Sequence, residues 1–262
     1  MNTLVVMAAI LFLLMVAVGG GKGARSFIAL FFNFVVLLFA IFIMLDPSAN
    51  IILVTIIASA AISCITLFYI NEVNSTTKTA FLSTVITIVL LISLIVFLTE
   101  TAMIQGFSEE EVGELYIFSF YIGIDFMKIA AAVIIMSTIG AITDMAIAIA
   151  SPMREIFYHH PTITKKELFK SGLSIGRDIL GTNTNTLFFA FFGGYLALLI
   201  WFKDLDYSTG QIVNSKVFTE EIITIMCAGI GIAIIIPITS WITAYVLMKA
   251  GLKKEEEIEG SE

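Results

Sequence analysis

The sequence predicts an all-α protein, a polytopic transmembrane helix bundle with about seven spans. Of its 262 residues, 59% are hydrophobic and 13% are charged, and the mean hydropathy is +1.02. Soluble domains contain about 45–50% apolar and about 25% charged residues, so this composition excludes a water-soluble fold. The long uncharged runs match the roughly 20 apolar residues that cross a bilayer as a helix. The strands of a β-barrel would instead alternate in polarity.

Polar and turn-forming stretches divide the chain into its elements. GGGKGARS, DPSAN, NEVNSTTK, QGFSEEEVGE and KDLDYSTGQIVNSK are rich in residues that form turns. We predict one transmembrane bundle over 1–250, with a cytoplasmic loop over 151–177 and a charged, disordered cytoplasmic tail over 251–262. The predicted spans are 2–18, 27–45, 50–70, 79–103, 116–150, 179–202 and 219–248. Pro237 should kink the last span.

The distribution of Lys and Arg predicts the orientation, because these residues concentrate in cytoplasmic loops. With the N-terminus outside, eleven of the fourteen fall on the cytoplasmic side, and only Lys203 and Lys216 fall outside. We therefore expect an exterior N-terminus and a cytoplasmic C-terminus. The acidic residues at 109–111 and 114 then lie in an exterior loop, which is either a solvated loop or a vestibule that attracts cations.

The fifth span, 116–150, is unusually long. Its 35 residues would form a helix of about 52 Å, whereas the hydrocarbon core is about 30 Å thick. We expect this helix either to project from the bilayer or to break, and Gly140 is the natural break point. Near its outer end, Asp125 and Lys128 are three residues apart on one face, which predicts an ion pair within the span.

Asp144 lies in the same span, within MSTIGAITDMAIAIASPMRE. An ionisable residue at the centre of a span costs about 2.5–3.5 kcal/mol on insertion, so it indicates a functional site by default. The face that it shares is small and polar, which favours close helix packing and predicts that Asp144 points into the bundle. The other members of this face are Ser137, Gly140, Ala148 and Ser151. Two interpretations stay open: a proton or cation site, or a structural acid paired with Arg154 or Arg177.

The sixth span opens with the polar sequence TNTNT. Asp178, Thr182 and Asn185 share one face, and Asn183 lies within the same turns. These side chains either join the helix to its neighbours or face Asp144 across the bundle and form an ion or proton site with it. In the preceding loop, Thr164–Glu167 matches a capping box, which predicts a short interfacial helix.

Several functions are not expected from the sequence. Cys64 and Cys227 are single thiols in separate apolar runs, so we predict no disulfide framework, metal site or cofactor. The motifs HExxH and GxSxG are absent, and we expect no enzymatic activity. The sequence has no basic stripe, so we expect no nucleic acid partner, and the lipid bilayer is the expected surrounding.

GAITDMAIAIASPMREI, the basic loop and GRDILGTNTNTLFFAFFGGYLALLIW resemble the YibE/F family of bacterial membrane proteins. The chain looks like the YibF-like form, which lacks an extracellular domain, because no connection between its spans is long enough to hold one. The resemblance implies a multi-pass protein of the bacterial inner membrane. It also implies a YibE-like membrane partner, and a homo-oligomer is the alternative.

A more distant likeness concerns the mechanism. IGAITDMAIAIASPMREI is similar to a segment of SecF, a permease of the resistance-nodulation-division type, and GRDILGTNTNTLFFAFFGG resembles the helix that follows there. That class couples proton flow to export. Asp144 would take the place of the Asp in an Asn-Asp pair, with Thr143 in place of the Asn and Ser151 near the place of a second acid.

We therefore expect a transport or export protein, or a subunit of one, that is proton- or cation-coupled through Asp144. The alternative is a non-catalytic membrane scaffold or assembly partner of a YibE-like, domain-bearing protein. KKELFKSGLSIGR loosely resembles a loop that docks an ATPase, but its acid-to-glycine spacing differs by one residue. We therefore do not expect an ATPase partner.

Overall fold

The first apolar region forms one long helix that is broken at a single glycine. The computed structural model describes residues 3–102, 104 and 125–259, and its first helix, α1, covers Thr3–Met44. Gly20 has φ 55° and ψ −136°, a conformation that residues with a Cβ avoid. Gly23 lies directly against the backbone of Met15, and the rings of Phe12 and Phe27 are 5.0 Å apart. The two legs of α1 therefore fold back on each other. The turn that the sequence predicts over GGGKGARS is present, and Gly20 is the residue at which the helix breaks.

The remaining described elements are also helical. They are α2 (Ile51–Cys64) with a π-helical turn (Ile65–Tyr69), α3 (Ser75–Ala102), α4 (Phe126–His159), α5 (Lys165–Gly194), α6 (Leu196–Asp204), α7 (Thr209–Asn214) and α8 (Lys216–Glu259). No strand occurs in the part of the chain that the structure describes, so the predicted all-α class is confirmed.

Five of the described helices are long and apolar enough to cross a membrane: α1, α2 with its π turn, α3, α4 and residues 216–249 of α8. The pair α5 and α6, bent by 49°, would make a sixth. Counting the two legs of α1 separately would give the seven segments that the sequence predicts. The number of crossings and their orientation stay predictions.

Helix α4 is continuous through Gly140, so of the two predicted alternatives the break does not occur. The helix begins after Asp125, whose Oδ1 accepts hydrogen bonds from the N–H groups of Met127 at 3.1 Å and Lys128 at 3.3 Å. It runs through Pro152 to His159. Its 34 residues are about 51 Å long, so α4 projects beyond a hydrocarbon core of about 30 Å. The predicted residues 116–124 of this span lie outside the described residues.

The segment predicted as a loop over 151–177 is mostly helical, because α4 continues to His159 and α5 already begins at Lys165. The predicted capping box is present: the Thr164 N–H donates to Glu167 Oε2 at 3.0 Å, and the Glu167 N–H donates to Thr164 Oγ1 at 3.3 Å. The predicted short helix is therefore the first part of the longer helix α5, and its position at the membrane interface stays a prediction. The tail predicted as disordered from 251 instead continues α8 to Glu259, and α8 passes through Pro237 as one helix.

Helices α3, α4 and α8 form the core. A Cβ on Gly231 of α8 would lie only 2.8 Å from Ile142 Cδ1 and 2.9 Å from Leu91 Cδ1, so the missing side chain lets the three helices approach closely. Buried hydroxyls add interhelical contacts, such as Thr243 Oγ1 to Thr79 Oγ1 at 3.4 Å. Such small and polar contacts hold membrane helices together, because lipid supplies no hydrophobic driving force between them.

Candidate functional site

The small, polar face of α4 lies on the surface of this chain. Its members are all exposed: Ser137, Gly140, Asp144, Ala148 and Ser151. The opposite face carries Ile142, Met145 and Ile149, which are completely buried. A Cβ on Gly140 would meet no atom within 4 Å. The prediction that Asp144 points into the bundle is therefore wrong for the single chain, because the bulky apolar face of α4 occupies the interior.

Two interhelical contacts fix the helices on either side of Asp144. Thr143 Oγ1 lies 3.2 Å from Ser63 Oγ and joins α4 to α2. Asn183 Nδ2 donates to Met145 Sδ at 3.7 Å and joins α4 to α5. Successive helical residues differ by about 100° around the axis. Asp144 therefore faces the gap between α2 and α5.

A cavity adjoins this face near the start of α4. It has a volume of about 560 Å³ and separates the second leg of α1 from α4. Asn33 and Ile41 line it on α1, and Val133 and Ser137 line it on α4. The Nδ2 of Asn33 lies 3.4 Å from Thr66 Oγ1, while its Oδ1 is buried without a hydrogen-bond partner.

A second cavity adjoins the same face near the end of α4. It has a volume of about 590 Å³ and is bounded by Lys22 of α1, by the turn between α2 and α3, and by Ser151 and Arg154 of α4. Asp144 lies between the two cavities along the helix. We call the exposed face of α4 from Val133 to Ser151, together with the two cavities, the α4 cleft.

The polar turn of α5 lies on the same side as Asp144. Ile142 contacts Gly231 of α8, and a Cβ on Gly229 of α8 would lie 3.7 Å from Thr184. Asp144 is two residues after Ile142, and Thr182 is two residues before Thr184. A step of two residues turns a helix by about 200°, so Asp144 and Thr182 both face away from α8.

The predicted polar cluster is therefore arranged differently from the expectation. Asp178, Thr182 and Asn185 are exposed and line one shallow depression, and Asn183 is half-buried against α4. They border the open side of the α4–α5 pair. Asn183 joins α5 to α4, as one of the two interpretations expects, and no hydrogen bond links Asp178, Thr182 or Asn185 to Asp144 among the described residues. A shared site with Asp144 stays a prediction.

Asp144 has no side-chain partner within the described ranges, 3–102 and 125–259. No hydrogen bond or ion pair joins it to Arg154 or to Arg177, which the sequence offers as structural partners. An intramembrane carboxylate requires a proton, a cation, water or a hydrogen-bonding partner. Among the described residues, no side chain of this chain meets that requirement at Asp144.

Asp125 and Lys128 approach each other as the sequence predicts. Lys128 Nζ lies 3.0 Å from Asp125 Oδ2, and both side chains are about half exposed. Asp125 also caps α4, so this pair stabilises the start of the helix.

Glu221 of α8 is a half-buried acid that was not among the residues predicted from the sequence. Its Oε2 is buried without a hydrogen-bond partner, and the Tyr195 hydroxyl approaches its carboxyl group. It lines an apolar cavity together with Phe192 and Phe218, whose ring centroids are 6.3 Å apart. The signal was present, because an acid inside the predicted span 219–248 meets the same criterion as Asp144. The acids at 109–111 and 114 lie outside the described residues.

Metal-binding geometry is absent from the described ranges, where no three His, Cys, Asp or Glu side chains converge. Cys64 is half-buried and Cys227 is buried, and both are free thiols.

Comparison with known proteins identifies the family. The model of the family described as YibE/F-like protein matches residues 7–249, and the chain belongs to this family. No curated protein and no solved structure matches the chain.

Proposed function

We propose that this member of the YibE/F-like family is a subunit of a transport or export assembly in the bacterial inner membrane, in which Asp144 carries a proton or a small cation. The observation that supports this is the position of Asp144, an unpaired carboxylate between the two cavities of the α4 cleft. The hydroxyl and amide groups of Thr182 and Asn185 border the same open side. Such groups can solvate a proton or a cation.

We propose further that a neighbouring chain closes the open side of the cleft. Gly140 and Ala148 flank Asp144 on the exposed face, and small residues let two membrane helices approach closely. A closed cleft would exclude lipid from Asp144. The exterior cavity is lined mainly by apolar side chains, with Asn33 and Ser137 as its polar groups. The neighbouring chain is either a YibE-like membrane partner or a second copy of this chain.

The orientation belongs to the same proposal. With an exterior N-terminus and a cytoplasmic C-terminus, most Lys and Arg residues, including Lys22 and Arg154, lie on the cytoplasmic side. The α4 cleft then runs from the exterior cavity, beside Val133, to the cytoplasmic cavity, beside Ser151. We propose no enzymatic step and no cofactor for this route.

A scaffold is the second candidate, and one observation favours it. The small-residue face of α4 points away from the core of its own chain, as expected of a surface that assembles with another membrane protein. In that case Asp144 would bond to a polar group of the partner and would conduct nothing.

The test is ion flux through purified protein in liposomes, alone and with a YibE-like partner, with a pH-sensitive dye inside. Asp144→Asn keeps the shape and polarity of the side chain but cannot release a proton. We expect it to abolish the proton flux of the wild type. Asp204→Asn is the matched control, because Asp204 is an exposed residue at the end of α6 that lines neither cavity of the cleft, and its flux should equal the wild type.

The outcomes separate the two candidates. Flux that is lost in Asp144→Asn and retained in Asp204→Asn supports the transport role. Equal flux in the wild type and Asp144→Asn contradicts a proton role for Asp144. No flux from any sample, when Asp144→Asn is correctly folded and still assembles with the partner, favours the scaffold.

A further inference from the structure

The cavity beside Ser151 and Arg154 has the features of an anion site. It lies where α1, the turn between α2 and α3, and the last turns of α4 meet, and its volume is about 590 Å³. Small-molecule sites typically measure about 300–1,000 Å³, so this cavity has room for a phosphate group and its substituents.

Two cationic side chains line the cavity from different helices. Lys22 comes from α1, just after the Gly20 break, and Arg154 comes from α4. Within the described residues, neither takes part in an ion pair. Glu155 also lines the cavity, while the nearby Arg25 is paired with Glu72 at 2.9 Å. The charges that line the cavity therefore sum to +1, which complements a singly charged anion.

A buried hydroxyl provides a second, independent indication of a ligand. Thr76 lines the cavity and is only 4% exposed, yet its Oγ1 has no hydrogen-bond partner. Buried polar groups are almost always satisfied, so a buried orphan indicates an unplaced ligand or water. The neighbouring Thr77 shows the usual arrangement, because its hydroxyl donates to the Glu72 carbonyl at 2.9 Å.

The start of α3 adds donors at the same place. This helix begins at Ser75. Asn74 Oδ1 accepts a hydrogen bond from the Thr77 N–H at 2.9 Å, which leaves the N–H groups of Ser75 and Thr76 as the donors at the helix start. The first N–H groups of a helix have no partner within the helix and favour an anion near them. The helix terminus, the orphaned Thr76 hydroxyl and the two cations are thus brought to one cavity.

We propose that this cavity binds a singly charged phosphate group, either the phosphodiester headgroup of an anionic membrane lipid or a free phosphate anion. Lys22 and Arg154 neutralise its charge, and the Thr76 hydroxyl donates a hydrogen bond to one of its oxygens. Ile147 and Ile156 supply an apolar boundary on α4. This cavity is also the cytoplasmic end of the α4 cleft, but the transport proposal assigns no role to Lys22, Arg154 or Thr76, so the anion site can be tested separately.

The experiment measures thermal unfolding of the purified full-length protein in nanodiscs. Phosphatidylcholine discs are compared with discs that also contain phosphatidylglycerol, and inorganic phosphate is titrated separately into the phosphatidylcholine discs. We expect phosphatidylglycerol or inorganic phosphate to raise the unfolding temperature of the wild type. An effect of phosphatidylglycerol alone identifies the lipid headgroup, and an effect of inorganic phosphate identifies the free anion.

Two variants test the named residues. The double variant Lys22→Gln/Arg154→Gln should lower the apparent affinity for the stabilising anion by at least about tenfold, since charge-assisted bonds are the strong ones. Lys166→Gln/Lys170→Gln removes the same charge from positions of α5 that are equally exposed but do not line the cavity, and its affinity should stay within about twofold of the wild type.

Thr76→Val separates a ligand role from a structural one. Val matches the size of Thr, and the lost hydroxyl has no partner within the protein. The unfolding temperature without anion should therefore be unchanged or raised, whereas the affinity for the anion should fall by about tenfold.

Three results would overturn the proposal. The first is that neither phosphatidylglycerol nor phosphate stabilises the wild type. The second is that phosphatidylcholine alone stabilises it as well as phosphatidylglycerol does, because net charge would then play no part. The third is that the Lys22→Gln/Arg154→Gln variant binds the anion as well as the Lys166→Gln/Lys170→Gln variant.

Discussion

Three consecutive residues of α4 have three different roles. Thr143 contacts Ser63 of α2, Met145 accepts a hydrogen bond from Asn183 of α5, and Asp144 between them has no partner in the described chain. Thr143 and Met145 therefore set the width of the α4 cleft, while Asp144 gives the cleft a charge. A change at either neighbour would act on Asp144 only through the position of α2 or α5.

The contact between Ser63 and Thr143 can be measured with a double-mutant cycle. Interhelical hydrogen bonds in membranes contribute on average about 0.6 kcal/mol and at most about 1.7 kcal/mol. We expect Ser63→Ala and Thr143→Val to show a coupling free energy of about 0.5–1 kcal/mol in reversible unfolding in detergent.

The control for this cycle is the pair Ser63→Ala and Thr138→Val. Thr138 lies on the same helix, and its hydroxyl bonds to the Ile135 carbonyl at 2.9 Å within α4. Its coupling to Ser63 should be near zero. A coupling as large as that of Thr143 would show that the measured energy does not come from the bond between α2 and α4.

At the scale of single residues, the sequence predicts which residues share a helical face better than it predicts whether that face is buried or exposed. The spacing of Ser137, Gly140, Asp144 and Ala148 correctly assigns them to one helical face. Periodicity cannot say whether a small face lies inside or outside, because small residues serve contacts within a chain and between chains equally well. The apolar face of α4, with Ile142 and Met145, is the face that packs into the core. Whether an apolar or a small face packs inward depends on the shapes of the neighbouring helices.

Among the elements, α1 depends most clearly on one backbone position. Gly19, Gly20 and Gly21 are consecutive, and a Cβ on any of them would meet no atom within 4 Å. Of the three, only Gly20 has a positive φ, so the backbone conformation of the fold-back requires glycine at this position. Gly19 and Gly21 have helical backbone angles and could be replaced by other residues.

Gly20→Ala should therefore destabilise the protein by about 1–3 kcal/mol, because Ala is strained in this region of φ and ψ. Gly21→Ala should be neutral or stabilising by up to about 1 kcal/mol, because Ala favours a helix over Gly. Both variants would be compared by thermal unfolding in the same detergent. Equal effects at the two positions would contradict a break that is localised at Gly20.

The sequence predicts the apolar segments well and their connections poorly. Hydropathy locates α2 and α3 closely, because the bilayer imposes length and polarity on each span. The turn over GGGKGARS is predicted and occurs at Gly20, whereas the continuity of α5 across 165–194 was not predicted, since glycine and charged residues are compatible with both helices and turns. Tertiary contacts resolve such segments, as Gly172 of α5 does by lying directly against Ser240 of α8.

For the whole molecule, the uneven burial of polar groups is the main result. Thr79 and Thr243 are buried between core helices, whereas Asp144, Thr182 and Asn185 face outward on one side. Lipid is a poor environment for an ionised carboxylate. Both facts support the proposed assembly, in which a neighbouring chain covers the α4 cleft.

Cross-linking tests this arrangement directly. In a chain with Cys64 and Cys227 replaced by alanine, Ala148→Cys places a thiol on the exposed face of α4, one turn from Asp144. Leu90→Cys is the control, since Leu90 of α3 is 54% exposed and lies outside the cleft. We expect Ala148→Cys to give cross-linked products in native membranes and Leu90→Cys to give none.

The mass of the product identifies the neighbour. A product of twice the chain mass indicates a second copy, because a two-fold axis brings the same face of two chains together. A heavier product that requires co-expression of a YibE-like protein indicates the hetero-assembly. Equal cross-linking at both positions, or none at Ala148→Cys, would mean that no chain covers the cleft, and Asp144 would then have to be kept neutral or hydrated by the lipid–water boundary alone.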